Sequence, residues 1–264
     1  MIRGLYSAAA GMDVLQARVE SVSNNLANAS TPGYKREDIT IRSFPEMLLI
    51  RQGGIQRKPA GTPEAIGTAS NGVLLSELFI DHTQGDLRET GDPADVAIKG
   101  PAFFAVSAPG PESPDRVCYT RNGAFKIDQE GYLVTAGGYR VLGEDGEIRI
   151  EDFQLNDPAR LSISPDGSVR IDGMEAGRLM LVEFDDVNSL QKVGEGLFED
   201  PQGTGRPAVS SSVCQGYLEA PNVNVVDEMV SLITATRAYE ANQRIIQSQD
   251  ELLAKAVNQV GSLR

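Results

Sequence analysis

The sequence predicts an α+β protein: a helix at each end, the two paired as a coiled-coil-like domain, and an all-β domain inserted between them. Three observations carry this. Both ends repeat apolar residues in alternating steps of three and four, averaging about 3.5, the period of a helical seam. The middle, from about Gln84 to Gln215, is broken every few residues by turn dipeptides and is rich in β-forming stretches. Neither terminal stripe can bury itself alone, so the termini must meet each other or the termini of neighbouring copies.

The first helix is expected over residues 1–28. Its seam is Met1, Leu5, Ala8, Met12, Leu15, Val19, Val22 and Leu26. A helix of this length is about 40 Å long. The opening MIRGLYSAAAGM has the basic and apolar character of a leader, but the apolar stretch is short, contains Tyr6 and Ser7, and runs unbroken into the helical pattern. It reads as mature helix, and export is expected without a cleaved signal peptide. Ser21, Asn24, Asn25 and Asn28 form a polar ridge beside the seam. Asparagine is a poor helix former. Such a ridge either terminates the helix or fixes register by hydrogen bonding across helices. Pro32 restricts Thr31 and stops the helix.

After Tyr34 the period changes to two. Asp38–Phe44 and Val73–Ile80 read as strands. Between them, residues 52–72 are rich in Gly, Pro, Ser and Thr and read as an extended segment or loop. A stretch so long and so regular at its ends is more than a linker; it predicts a hairpin-like arm that packs on neighbouring copies.

Strands are expected at Asp95–Lys99, Ala102–Ser107, Val117–Arg121, Ala124–Ile127, Tyr139–Leu142, Glu147–Ile150, Arg160–Ile163, Val169–Ile171 and Arg178–Phe184. Turn signals fall at Asn122-Gly123, Gly137-Gly138, Asp145-Gly146 and Asp166-Gly167. The last two are strong hairpin signals, because short hairpin loops need positive φ. Many short strands argue for a sandwich or barrel-like domain.

The second helix is expected over about 224–262. Asn224 can cap it, and Asp227 and Glu228 fall in the first turn, facing the positive helix end. Its seam runs Val225, Met229, Leu232, Thr236, Tyr239, Gln243, Ile246, Asp250, Leu253, Val257 and Val260. The domain boundaries that follow are 1–35 with 222–264 as a helical assembly domain, 36–83 as a connecting arm, and 84–221 as a β-rich outer domain.

Composition excludes several function classes. The 264 residues include 24 Lys and Arg against 37 Asp and Glu, a net charge of −13. That opposes nucleic-acid binding and anionic membranes, which need clustered cations. There is no run of apolar residues long enough to insert in a membrane. The single histidine, His82, has no Cys or carboxylate at metal-ligand spacing and reads as a surface or turn residue. No Gly-x-Ser-x-Gly elbow or nucleophilic cysteine context is present, and no Gly-rich spot opens a helix after a strand to cradle phosphate. Cys118 and Cys214, far apart in sequence, could form a disulfide but read first as two small buried side chains. No catalytic residue, metal or cofactor is expected.

Longer motifs carry a resemblance. LYSAAAGM at 5–12 followed by SNNLANASTPGYK at 23–35, and QGYLEAPNVNVVDEMVSLITATRAYEANQ at 215–243, resemble the terminal signatures of the bacterial flagellar rod and hook axial family. QGDLRETGDPADVAIKGPAFFAV at 84–106 and YTRNGAFKIDQEGYLVTAGGYRVLG at 119–143 agree with it. The likeness runs end to end. Ala94, Ala102 and Pro221 stand where the family usually has Leu, Gly and Ser. Length and the middle region resemble the rod proteins of the basal body, with 34–80 most like the distal rod protein and 143–198 also similar to a proximal one.

The resemblance implies a structural subunit that assembles helically with itself and with other rod and hook proteins into a hollow, torque-transmitting shaft. The terminal helices would form the inner tube and the β domain would face outward. It also implies passage through the flagellar type III export apparatus, an extracytoplasmic place in the basal body, and no structural disulfide. The assembly seam is then Leu5, Met12, Leu15, Val19, Val22, Leu26, Met229, Leu232, Tyr239, Ile246 and Leu253, with Asn24, Asn25 and Asn28 setting register. The alternatives are a proximal rod or hook-type subunit and, in other classes, a wall-degrading enzyme or a coiled-coil adhesin.

Overall fold

The computed structural model describes residues 2–51, 64–70, 72–108, 116–150, 161–171 and 173–260. Met1 of the first seam, 52–63 and Asn71 of the Gly/Pro-rich stretch, Arg160 of one expected strand and 261–262 of the second helix lie outside the described residues. The chain forms two compact units: Met1–Leu26, Glu37–Phe79 and Val225–Arg264 in the first, Ala27–Arg36 and Ile80–Asn224 in the second. It is an α+β protein with a long helix near each end and a large β-rich portion.

In the first unit, α1 (Ile2–Ala27) follows the seven-residue apolar repeat. The arm is built of β1 (Glu37–Ser43), β2 (Met47–Arg51), β3 (Glu64–Ala69) and β4 (Val73–Ile80). Its pairing is nested: β1 pairs with β4, and inside them β2 runs antiparallel to β3, from Met47 opposite Ala69 to Arg51 opposite Glu64. The C-terminal part of the stretch expected to be extended or loop is therefore a strand. Helix α2 (Val225–Lys255) begins one residue after Asn224 and closes with a π-helical turn over Ala256–Val260. Asp227 and Glu228 in its first turn and Lys255 in its last match the helix dipole at both ends.

In the second unit the strands are short. They are β5 (Leu87–Glu89), β6 (Val96–Lys99), β7 (Phe103–Ala108), β8 (Arg116–Thr120), β9 (Phe125–Ile127), β10 (Leu133–Thr135), β11 (Arg140–Gly143) and β12 (Gly146–Glu147). There follow β13 (Leu161–Ile163), β14 (Ser168–Ile171), β15 (Met174–Arg178), β16 (Leu181–Glu183), β17 (Gln191–Gly194) and β18 (Leu197–Glu199). The last are β19 (Arg206–Pro207), β20 (Ser212–Gln215) and β21 (Tyr217–Glu219). Strands β17, β18, β8, β7, β11, β10 and β9 lie side by side in that order, with β12 added on β11, β16 on β7, and β19 on β16. A three-stranded sheet, β13–β14–β15, and the pairs β6–β20 and β5–β21 complete the unit.

Strand β7 lies within the core. Successive side chains of a strand point to opposite faces, so Phe103 and Phe104 enter different clusters. Phe104 joins Val96, Ile98, Val106, Leu133, Val141, Val169 and Val213. Phe103 joins Val182, Phe184, Leu190 and Phe198. Burial on both faces accounts for the unbroken apolar run FFAV where a half-exposed strand would alternate.

Asp145-Gly146 closes β11 onto β12, Asp166-Gly167 lies in the turn between β13 and β14, and Gly137-Gly138 in the turn between β10 and β11. Asn122-Gly123 instead makes a corner between β8 and β9, which do not pair. A Cβ on Gly123 would stand 1.6 Å from the carbonyl oxygen of Val96, so only glycine fits there. Two expected strands differ. Arg178–Phe184 is split between β15 and β16, because the chain changes sheets near Leu179. Glu147–Ile150 is strand only at Glu147, beyond which Arg149 makes an isolated bridge to Tyr132.

Candidate assembly surface

Helix α1 presents two sides within the first unit. One meets α2 at two points. A Cβ on Gly4 would stand 2.7 Å from Nε2 of Gln249, and one on Gly11 3.1 Å from Nδ2 of Asn242. Both pairs are seven residues apart and run in opposite senses, so the helices are antiparallel there. The carboxamides of Gln249 and Asn242 thus lie against Gly4 and Gly11, where α1 carries no side chain. The other side faces the arm: a Cβ on Gly72 would lie 3.2 Å from that of Ala10.

The polar ridge grips the start of the arm. Asn25 Nδ2 donates to the Glu37 carbonyl at 2.8 Å, and the Glu37 N–H donates to Asn25 Oδ1 at 2.9 Å. The carboxamide thus pairs with the strand as another strand would. Ser21 Oγ donates to the same carbonyl at 2.9 Å, and Asn24 Nδ2 to Glu37 Oε2 at 3.1 Å. Asn25 is buried, so this pairing satisfies groups that water cannot reach. Asn28 accepts from Thr31 Oγ1 at 3.2 Å in the turn after α1.

The seam residues of α1 are half-buried at Leu5, Met12, Leu15, Val19 and Leu26 and buried at Val22. On α2, Leu232, Tyr239, Ile246 and Leu253 are half-buried and Met229 is exposed. The buried or half-buried stripe of α2 also takes in Glu228, Ala235, Asn242 and Gln249, which hydropathy passes over. Large apolar side chains lie instead on the other side of α2: Val226, Val230 and Ile233, one to two turns apart, are all more than half exposed. The arm carries more, at Met47, Leu48, Ile50 and Ile66 on the inner pair and Leu75, Leu78 and Phe79 on β4. Apolar surface of this extent marks a site of association.

The second unit holds a polar cluster that sequence reading missed, where the segments leading to α1, to the arm and to α2 come together. Lys35 Nζ donates to Glu219 Oε1 at 2.6 Å and to the Thr83 carbonyl at 2.7 Å. Glu219 Oε1 also accepts from the Gly85 N–H at 3.0 Å, and its Oε2 lies 3.5 Å from Arg121 Nη1. The Arg121 guanidinium donates to the Gly100 carbonyl at 2.8 Å and stacks 4.7 Å over the Phe103 ring. Burial pushes the Lys35 ammonium and the Arg121 guanidinium below their ordinary pKa values, against the pull of Glu219. Asn222 closes the group: Oδ1 accepts from the Arg36 N–H at 2.7 Å and Nδ2 donates to the Asp81 carbonyl at 2.7 Å. Gly33, at φ 68°, turns the chain into this cluster, and its N–H donates to the Glu219 carbonyl at 2.8 Å.

His82 lies beside the cluster and corrects the expectation of a surface or turn residue. Its ring is half-buried, 5.2 Å from Phe198 and 5.8 Å from Phe103 between centroids. Burial first, and then Lys35 and Arg121, lower its pKa to about 4. Cys118 is buried, Cys214 half-buried, and both are free thiols. Among the described residues no helix is long and apolar enough to cross a membrane, and no group of three His, Cys, Asp or Glu side chains is placed to hold a metal.

Apolar residues left outside on α2 and the arm, in a chain whose β unit has its own core, define a structural subunit made to associate. Family comparison agrees. Residues 5–35 match the flagella basal body rod protein family, 97–171 the D1 domain of the flagellar hook proteins FlgE, FlgF and FlgG, and 215–260 the C-terminal region of the flagellar basal body rod FlgEFG proteins. The flagellar basal-body rod protein FlgG of Buchnera aphidicola subsp. Schizaphis graminum is 34% identical over 270 residues, 97% of this chain and 98% of its own. FlgG of Bacillus subtilis is 30% identical over 98% of this chain and 99% of its own. FlgF of Caulobacter vibrioides is 33% identical over the full length of both. The chain belongs to the flagellar basal-body rod protein family, is distal-rod like, and is a structural subunit of the flagellar rod.

Proposed function

We propose that α1 and α2 pair along their length as a coiled-coil-like assembly domain. Subunits then stack helically, with one another and with the neighbouring rod and hook proteins, into a hollow shaft that carries torque. The observation that carries this reading is the exposed stripe Val226, Val230 and Ile233, on the side of α2 away from its buried stripe. A helix with apolar residues on both sides needs two partners. Gly4 and Gly11 supply close approach to one, and a second copy of the chain supplies the other. Carried along, the same seven-residue repeat sets Asn25 opposite Glu228, two residues buried in the single chain.

The seam residues from Leu5 to Leu26 and from Met229 to Leu253 are divided in this scheme between the helix pair and its neighbours. Asn24 and Asn25 hold the start of the arm to the end of α1, and Asn28 sets the turn that follows it. The nested β1–β4 and β2–β3 pairs form an arm that packs on adjacent subunits and stiffens the shaft. Residues 1–35 and 222–264 act as the assembly domain, 36–83 as the arm and 84–221 as the outward domain. The protein reaches the basal body through the flagellar type III export channel and acts there without catalysis.

Ile233→Asp tests the assembly reading. The side chain is exposed in the single chain, so the monomer should melt within about 0.5 kcal/mol of the native protein. An unpaired charge enclosed between subunits costs several kcal/mol, so complementation of a strain lacking the protein should give no rods and no swimming. Normal motility would refute it.

A further inference from the structure

We propose that the cluster around Glu219 is a proton-operated latch: while His82 is neutral, Glu219 holds Lys35 and Arg121 and fixes three chain exits of the β unit, and a proton on His82 releases them.

Three segments are tied here. The segment after α1 supplies Gly33, Lys35 and Arg36, the segment after the arm supplies Asp81 to Gly85, and the end of β21 with the residues before α2 supplies Glu219 and Asn222. The ties between them run through Glu219, through Asn222, through Lys35 Nζ on the Thr83 carbonyl at 2.7 Å, and through the Asp81 N–H on the Arg36 carbonyl at 2.9 Å. Glu219 is buried and serves both cations and the Gly85 N–H. Loss of its grip would therefore loosen all three exits together.

The cluster is poised because its charges do not balance. Two buried cations share one carboxylate, and a third cation would have nowhere to place its charge. The groups facing His82 are Lys35 from the segment after α1, Arg121 from the end of β8, and Asp81 beside it in the chain. Glu219 on β21 is already held by both cations, and the packing rings Phe103 and Phe198 bring no charge. Asp81 alone favours a charged ring. Burial works to raise the Asp81 pKa, yet its bonds from Thr83, with Lys35 and Arg36 nearby, hold it below the usual carboxylate range. It is thus already engaged elsewhere. His82 Nδ1 is buried with no hydrogen-bond partner among the described residues, so no acceptor waits for a proton there. The ring can stay only while neutral; once charged it must move toward water and repel Lys35 and Arg121.

The latch lies within one chain and stands whether or not the assembly reading holds, so its test uses the full-length monomer. Proton NMR of the single histidine should show a midpoint near 4, where the ordinary value is 6.5. Amide hydrogen exchange, expressed as protection factors, should show Gly33 and Gly85 losing protection as pH falls from 6.5 to 4, by up to roughly tenfold per unit. Over the same range Phe104 and Val106 in β7 should keep theirs. In His82→Phe, which suits the aromatic surroundings, the loss at Gly33 and Gly85 should vanish. Glu219→Gln should lower their protection already at neutral pH. A histidine midpoint near 6.5, equal loss at Gly33 and Val106, or an unchanged acid response in His82→Phe would each overturn the latch.

Discussion

The β unit and the helix–arm unit bury apolar side chains to different ends. In the first, Phe103, Phe104, Val106 and Leu133 have no exposure at all, and both faces of β7 are covered by its own chain. In the second, Val226 is 66% exposed and Ile66 64%. Hydropathy does not separate the units; the address of the partner does. The β unit has a closed core of its own, with exposed apolar residues such as Met174 and Val209 outside it; on the proposed reading, the helix–arm unit keeps its exposed apolar residues for other copies.

Substitutions can sharpen this contrast, beginning with the largest effect on the single chain. Phe104→Ala removes a fully buried ring packed 5.0 Å from Phe125, and should cost the monomer about 3–5 kcal/mol. Chemical denaturation of purified monomer measures it, and a loss below about 1 kcal/mol would mean that the core of the β unit is not where its stability resides. Asn25→Ala removes the acceptor for the buried Glu37 N–H and one of two donors to its carbonyl, which keeps Ser21. It should cost about 1–3 kcal/mol, read as earlier melting of the helix signal by circular dichroism, with the β unit unaffected.

Acid should weaken the β unit. The folded pKa of His82, about 4, lies below the ordinary 6.5, so between these values the unfolded chain binds more protons. His82 therefore contributes its full share above pH 6.5 and loses it as pH falls toward 4. The loss should be on the order of 1–2 kcal/mol after screening of the half-exposed ring. Denaturant midpoints at pH 7 and pH 4.5, in native protein and in His82→Phe, measure it; equal acid sensitivity in the two would reject it. The smallest effect on the monomer is expected from Ile66→Ser in the arm, within about 0.5 kcal/mol. The same change should yield shorter or more flexible rods in electron micrographs of basal bodies. Straight rods of normal length would show that the arm makes no contact that matters to the shaft.

What the sequence made legible follows from range. The ends of both helices were readable because Pro32 and Asn224 act on their neighbours. The strands β1, β4, β6 to β9 and β11 were readable because they are apolar and bounded by turns. Strands β17, β19 and β20 were not, since segments such as Gln191–Gly194 and Ser212–Gln215 carry little apolar signal and owe their conformation to strands far along the chain. The buried stripe of α2 was hidden for another reason. Asn242 and Gln249 lie against Gly11 and Gly4, where α1 carries no side chain, and a scale of hydropathy does not register room. The Lys35–Glu219 pair spans 184 positions, and nothing in either residue's surroundings announces the other. The polar ridge was visible, but its partner, the backbone of Glu37, was not.

The central claim, that the helix–arm unit waits for other copies while the β unit is complete, is tested most directly by hydrogen exchange on free monomer and on isolated rods. Amides over Val226–Ile233 of α2 and over β2 and β3 should gain strong protection on assembly. Those of β7 and β8, already closed in the monomer, should change little. Protection gained mainly in β7, β8 and their neighbours, with α2 and the arm exchanging as freely in rods as in the monomer, would contradict the account.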